Sequence, residues 1–376
     1  MKKTVVLLLM LSLLVSVSSA QVMIGSRQAG MGGTGVASAT GLNAVAYNPA
    51  GLMKGPDREF LLSMGAAQQG MDQLINSFNS ASDPSQFMVD NFGTNLDASG
   101  SLFGLMGLKF NRVGVSLLVP SIGANLSKPA ASLAGSANAL ATTALALTVG
   151  HTFSVPGLPA SLDVGANLKA INAASGSIVI AGTPVPGTPV NATQTVAIGS
   201  GMGFDLGARA GVEIPMLTDF SVGIALRDVA QSIKYRPKTR TDQYTVANPG
   251  DDPTITKGTE VEGAETEATS PVTTSIGCAG TVPAIGLKVA ADINSVSGGS
   301  GILAANSETA THLGLEYPLL LNALILRGGF ATSPSISMTT LGAKINIPYV
   351  TLELATIIDN NNSKNTSYVV DIGAGF

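Results

Sequence analysis

The stretch Phe204-Asp205-Leu206-Gly207-Ala208-Arg209-Ala210-Gly211-Val212-Glu213-Ile214 decides how the rest of the chain is read. Phe204, Leu206, Ala208, Ala210, Val212 and Ile214 take alternate positions, and Asp205, Gly207, Arg209, Gly211 and Glu213 fill the gaps. A period of two sends successive side chains to opposite faces of a β-strand. The pattern returns at 162–169, 285–294, 341–347 and 368–376. One face of each segment is aliphatic; the other mixes glycine with charge.

A soluble sandwich alternates in the same way, with its apolar rows turned inward. A transmembrane barrel turns them outward to lipid. Connection length separates the two. Strands fall near 58–68, 99–110, 112–121, 141–153, 160–172, 195–214, 219–230, 272–282, 285–296, 309–317, 322–331, 337–347, 349–358 and 366–376. Joins at 111, 154–159, 215–218, 283–284, 318–321 and 348 are short; those at 69–98, 122–140, 173–194, 231–271, 297–308, 332–336 and 359–365 are generally longer. Short and long joins taking turns is the pattern of outer-membrane barrels. The expected fold is all-β: a transmembrane antiparallel barrel of about 14 strands, with both termini at the short-turn end.

Composition agrees. The 376 residues are 45% hydrophobic and 12% charged, with 44 Gly; soluble domains carry about 25% charged residues. So much apolar surface excludes a disordered chain. A net charge of −4 leaves no basic footprint for nucleic acid. The single cysteine, Cys278, excludes an intrachain disulfide and a multi-thiolate metal site. His151 and His312 are the only histidines, which leaves little room for histidine-rich metal chemistry. No metal and no cofactor is expected. Trp is absent and aromatics are only 5%, fewer than the girdles of such barrels usually carry; with Tyr47, Tyr317, Tyr349, Tyr368, Phe110, Phe153, Phe220 and Phe376 near short-turn ends or in the amino-terminal segment, the outer girdle is expected to be thin.

Lys2 and Lys3, the apolar run Val5–Val15 and the small residues Ser18-Ser19-Ala20 read as a secretory signal peptide over 1–20. The run is too short to span a membrane comfortably. The uncharged stretch Pro129–Gly150 is no helix either, because Leu145, Leu147 and Val149 alternate with Ala144, Ala146 and Thr148; it reads as a loop and then a strand. The chain thus divides into a signal peptide (1–20), an amino-terminal segment (21–56) and a barrel (57–376). An amphipathic last strand ending on Phe376 resembles the signal by which outer-membrane barrels engage their insertion machinery.

Within 21–56, Gly30, Gly32, Gly33 and Gly35 are dense enough to suggest a dinucleotide loop, but that motif needs a preceding apolar strand and a following helix, which the signal junction does not supply. These glycines instead suit a backbone packed tightly in a narrow lumen. Arg27-Gln28-Ala29-Gly30-Met31-Gly32-Gly33, Val36-Ala37, Asn43-Ala44 and Tyr47-Asn48-Pro49-Ala50-Gly51-Leu52 together resemble the start of the FadL/TodX/PorV superfamily. Thr311-His312-Leu313-Gly314-Leu315-Glu316-Tyr317, Leu326-Arg327-Gly328-Gly329-Phe330 and Thr340-Leu341-Gly342-Ala343 are similar to the barrel ending of PorV-like members. The resemblance implies a fourteen-stranded barrel with the amino-terminal segment folded into its lumen as a hatch. In the family's hydrophobic-compound transporters the Asn-Pro-Ala stretch lies by a kinked strand and a gap in the wall. Carried over, Asn48, Pro49 and Ala50, followed by Gly51, take that place; the other reading is a turn that fixes the hatch.

Ionisable residues on the expected lumen face include Asp205, Arg209, Glu213, Arg227, Glu316 and Arg327, with Asp163, Lys169, Lys288, Asp292, Lys344, Glu353 and Asp371. Charges there must be paired or hydrated, because an isolated buried charge costs several kcal/mol. They read as a network holding hatch and wall together, or as a selectivity lining. Catalysis has little support: His151 and His312 are the only candidate bases, and no G-x-S-x-G elbow stands out. The polar stretch Lys234–Ser270 reads as a mobile external loop. The expected function is passive passage of small hydrophobic compounds across an outer membrane, with membrane lipid as the surrounding partner. The alternative is a PorV-like structural or secretion partner without transport.

Overall fold

The computed structural model describes residues 23–69, 95–128, 135–154, 161–181, 187–245, 247, 254–347, 350–362 and 365–375. The expected signal peptide and Phe376 lie outside the described residues. The first seven strands are β1 (Arg58–Gln69), β2 (Leu96–Phe110), β3 (Val113–Lys128), β4 (Gly135–Ser154), β5 (Ser161–Ala181), β6 (Val190–Gly211) and β7 (Thr218–Thr245). Three short strands follow: β8 (Thr254–Thr256), β9 (Val261–Glu262) and β10 (Thr266–Thr269). The last seven are β11 (Val272–Val282), β12 (Leu287–Ser297), β13 (Glu308–Leu319), β14 (Leu324–Thr332), β15 (Ser337–Ile347), β16 (Val350–Asp359) and β17 (Thr366–Gly375). β1–β7 and β11–β17 pair with their chain neighbours, β7 pairs with β11, and β17 pairs back onto β1. The result is a closed antiparallel barrel of 14 strands.

Its side chains are distributed inside-out. Leu206, Ile293, Leu313, Leu315 and Leu341 are outward and exposed, while Asp205, Asp292, Glu316 and Arg327 on alternate positions are buried. That is the arrangement of a wall whose outer solvent is hydrocarbon. Among the described residues, no helix is long and apolar enough to cross a membrane.

The short-turn ends fall within a few residues of the sequence reading; the long-loop ends do not. The stretches 122–140, 173–194 and 231–271 were expected as loops, yet β3 continues to Lys128, β5 to Ala181 and β7 to Thr245. Beyond the lipid no apolar outer row is needed, so the hydrophobic period fades while the ladder goes on. Polar cross-strand pairs replace it, as in Thr193–Thr241 at 3.1 Å and Asn138–Asn125 at 3.2 Å. The expected mobile loop 234–270 is largely strand: β8, β9 and β10 fold back onto β7, held by Arg236–Glu262 at 3.3 Å, Lys238–Glu260 at 3.4 Å and the Gly258 amide on Asp242 at 3.0 Å. The wall is therefore lopsided. β14, β16 and β17 have 9 to 10 residues, enough to span, whereas β5, β6 and β7 have 21, 22 and 28 and stand well above the belt.

Candidate functional site

Residues 23–54 run inside the barrel, almost all of them buried. They form a short helix α1 (Ser26–Gly30) and two 3-10 turns, Gly41–Ala46 and Pro49–Met53. Inward-facing side chains take up their backbone groups from several sides. The Ser26 amide donates to Asp371 (2.8 Å), Gly32 to Thr340 (2.9 Å), Gly35 and Val36 to one oxygen of Asp292 (2.6 and 2.9 Å), and Leu42 to Glu59 (2.9 Å). His312 Nδ1 donates to the Gly32 carbonyl at 2.6 Å. Irregular backbone at membrane depth needs such partners, because no water is there to supply them.

Charge is concentrated at this level. Glu316 receives Arg27 and Arg327, each Nε at 2.8 Å, and Lys288 at 3.2 Å; Glu353 receives Arg327 at 2.6 Å and Lys344 at 3.2 Å. Arg27 also donates to the Ser38 carbonyl at 2.6 Å, so one guanidinium ties segment 23–54 both to itself and to the wall. A second cluster joins Lys169 to Asp205 at 2.6 Å and to Asp228, with Asn167 on Asp205 at 2.7 Å.

Asn48, Pro49 and Ala50 lie against β5–β7. The Asn48 amide donates to Val36 (2.7 Å) and Ala208 (3.1 Å), and its carbonyl oxygen caps the turn at Ala50 N (3.1 Å). The fit is close enough to require glycine in the wall: a Cβ on Gly207 would lie 1.9 Å from Asn48 Oδ1. Gly51 is equally confined, a Cβ there falling 2.4 Å from the Ala39 carbonyl.

Toward the long loops the lining changes character. Phe103, Leu105, Leu118, Ile171, Ile233, Met338, Ile357 and Val369 are inward-facing, buried and apolar, and they join Met23, Ile24, Leu42 and Val45 in one cluster. The change happens within single strands: Lys169 to Ile171 on β5, Glu353 to Ala355 and Ile357 on β16, Asp371 to Val369 on β17. The lumen thus has an ionic floor and an aliphatic upper part, where these side chains pack together.

The wall is irregular in three places, one of them at the short-turn end, where β7 carries an extra residue around Phe220 opposite Ala279–Thr281 of β11; the other two lie further up. β3 carries one extra residue around Pro120 relative to both neighbours: Leu102 and Gly104 of β2 face Ile122 and Val119, and Ala144 and Thr142 of β4 face Leu118 and Ser121. A bulge leaves ladder groups unpaired, and proline also removes a donor. β7 carries extra residues opposite Met202–Leu206, where Asp228 and Ala230 adopt φ of 59° and 50°. The irregularity in β3 borders the apolar cluster at Leu118; that at Asp228–Ala230 borders the Lys169–Asp205–Asp228 cluster. Asn48–Ala50 pack on Gly165 of β5 and Gly207 of β6, two or more strands round from Pro120 on β3.

Of the residues singled out in the sequence, Glu316 and Arg327 share the floor network and Asp205 lies in the second cluster. Arg209 and Arg227 each bond a carbonyl of segment 23–54, Ala39 at 3.4 Å and Ala46 at 2.8 Å. Glu213 is exposed in the β6–β7 connection, outside both clusters, because β6 ends at Gly211. Tyr368, placed at the short-turn end by the sequence reading, is instead near the long-loop end opposite Ala66 and Thr356; β17 runs down from that end. Lys169 takes its expected place in the network, whereas Arg27 and Asp228 were not among the ionisable residues expected there, nor was the apolar upper lining. A signal for that lining exists: Leu117-Leu118, Ile357-Ile358 and Val369-Val370 are adjacent apolar pairs where strict alternation would place a polar residue. Neither histidine bonds a serine among the described residues; His151 contacts Arg112 (3.0 Å) and packs edge-on to Phe153.

No protein-family model matches the sequence, and no curated protein matches it. Solved structures do resemble the fold. The Ralstonia pickettii toluene transporter TbuX is 17% identical at TM-score 0.60, covering 95% of this chain and 100% of that one. A Pseudomonas aeruginosa FadL homologue is 13% identical at TM-score 0.62, with 94% and 98% covered. The P. putida toluene transporter TodX is 12% identical at TM-score 0.60, with 95% and 99% covered. The fold is that of the FadL-type channels. Within this FadL-type barrel the two quoted stretches from opposite ends of the sequence meet: Arg27 bonds Glu316, Gly32 bonds His312 and Thr340, and Gly30 packs on Gly342.

Proposed function

We propose that this protein is an outer-membrane barrel, exported by its signal peptide and inserted through its Phe376-terminated last strand, that passively passes small hydrophobic compounds. Segment 21–56 acts as a hatch that blocks a water-filled path. The observation that carries the reading is the aliphatic upper lining, from Phe103 and Leu118 to Ile171 and Val369, above an ionic floor. An aqueous pore has no use for a greasy upper lining, whereas an apolar solute is stabilised by about 25 cal/mol per Å² of surface it buries there. The solved neighbours named as toluene transporters support the same class of cargo. The floor is closed by paired ions, so the exit lies sideways, at the β3 bulge beside Leu118.

The test is binding and passage by the purified protein in vesicles, with a long-chain fatty acid and a monoaromatic as probes. Wild type binds at least one probe, and Leu118→Arg or Ile171→Glu weakens binding at least tenfold. Wild type that binds neither, or variants that bind as wild type does, overturn the reading. A second reading, a docking barrel without transport, draws on the tall β5–β7 blade with its folded-back strands β8–β10. Deleting 254–269 spares passage if the first reading holds.

A further inference from the structure

Most outward positions in the apolar belt carry large side chains, but one patch on β11–β15 does not. Cys278 pairs across the ladder with Ala291, and Gly328 sits two strands further round, opposite Leu315 of the intervening strand. With Phe330 and Leu341 as rims, these small residues floor an apolar groove of about 680 Å³ on the outside of the wall, within the 300–1,000 Å³ range of ligand sites. Gly328 is the informative position. A Cβ there would have no neighbour nearer than the Thr340 carbonyl at 4.0 Å, so wall packing does not demand glycine; its missing side chain keeps the groove open. The next residue, Gly329, faces inward, and a Cβ on it would lie 2.1 Å from Gly32 N. Groove and inner segment are therefore separated by a single thickness of backbone, and filling one does not require moving the other.

The depth of the groove in the bilayer follows from Tyr317, outward and 41% exposed two residues beyond Leu315 on β13. Two residues of strand are about 7 Å, and exposed Tyr marks the headgroup level. The groove thus opens in the hydrocarbon just inside the short-turn interface, continuous with the lipid-facing belt. It offers no charged group to a polar ligand.

We propose that this groove lodges one acyl chain of a membrane lipid, its headgroup level with Tyr317. The chain lies deeper than ordinary boundary lipid, because the missing side chains at 278, 291 and 328 let it approach the backbone.

The full protein, purified in mild detergent, is examined by native mass spectrometry for retained phospholipid. In parallel, the alkylation rate of Cys278, the sole cysteine, is measured with N-ethylmaleimide before and after delipidation in the same detergent. One phospholipid is retained by wild type and lost in Gly328→Leu, which fills the groove without a clash at Cβ. Cys278 reacts at least fivefold faster once delipidated. Cys278→Leu, filling the groove from the opposite side, keeps the result readable should Gly328→Leu fail to fold, as judged by heat-modifiable gel mobility. Equal retention in wild type and folded variants means exchangeable boundary lipid only, and overturns the proposal. An unchanged Cys278 rate on delipidation overturns it too.

Discussion

Arg27→Ala is the sharpest perturbation of the lumen. The Arg27 guanidinium reaches Glu316 from segment 23–54, and Glu316 is buried, with a side chain only 3% exposed. Removing Arg27 does not strand that carboxylate, because Arg327 at 2.8 Å and Lys288 at 3.2 Å remain. The loss is the charge-assisted bidentate contact to Glu316, about 1.5–3 kcal/mol, or roughly 10- to 150-fold in a local opening equilibrium, with the bond to the Ser38 carbonyl lost besides. Glu316→Gln is more severe: it leaves Arg27 buried without its counter-ion and weakens the hold on Arg327, at about 3–5 kcal/mol. Arg236→Ala is the control, since its pairs with Glu262 and Glu265 are half exposed and such pairs contribute about 1 kcal/mol or less. The assay is amide hydrogen exchange over 23–36, where Ser26, Gly32, Gly35 and Val36 donate to wall side chains. Protection there falls in the order Arg236→Ala, Arg27→Ala, Glu316→Gln. Should Arg27→Ala exchange like wild type, or should Arg236→Ala loosen these amides as much, the ion pair does not hold the segment and the argument fails.

Asn48→Asp destabilises more than Asn48→Ala in thermal unfolding, because it removes the two amide donations and buries a charge, whereas alanine loses only the cap and the bonds, at about 1–3 kcal/mol. Gly207→Val, whose Cβ would overlap Asn48 Oδ1, lowers the yield of folded barrel, and Asn48→Gly introduced beside it partly restores that yield. Deleting Pro120 removes the one extra residue of β3 relative to both neighbours; the barrel folds with a continuous ladder, and passage of a hydrophobic probe into vesicles falls at least tenfold while its binding persists.

Where a strand faced lipid on one side and charge on the other, its existence and orientation were plain from the sequence. Leu206, Ala208 and Ala210 could not face water while Asp205 and Arg209 faced hydrocarbon. That information ends where the lipid ends. Above the belt Thr193, Thr195, Thr239 and Thr241 bond across the ladder, and a run of small polar residues reads equally well as loop. The floor was half legible for a different reason. Inward charges are visible one by one, but their partners depend on which strands become neighbours and on where the inner segment docks. Glu316 meets Arg327 across β13–β14, and Arg27 arrives from 289 residues away. The upper lining was the least legible. Leu118, Ile357 and Val369 break the period in a way that a strict inside-polar rule treats as noise.

The two levels of the lumen bear on the route by their relative costs. A path straight down must part Glu316 from Arg27 and Arg327, and breaking one side of a buried pair costs about 3–5 kcal/mol. Water would have to follow to hydrate the separated ions, which is the environment an apolar solute avoids. At Pro120 the wall has already lost ladder bonds to both neighbours, so widening it disrupts few contacts. The side chain next to that bulge is Leu118, itself part of the apolar cluster. On the proposed route, a solute moving from the cluster to the bulge would stay against aliphatic surface and leave into the same kind of medium. The irregularity at Asp228–Ala230 offers similar backbone slack but opens onto Lys169, Asp205 and Asp228, where an apolar solute would desolvate paired charges and gain nothing in return. Of the two irregularities above the short-turn end, the lining favours the one at β3 for the proposed passage.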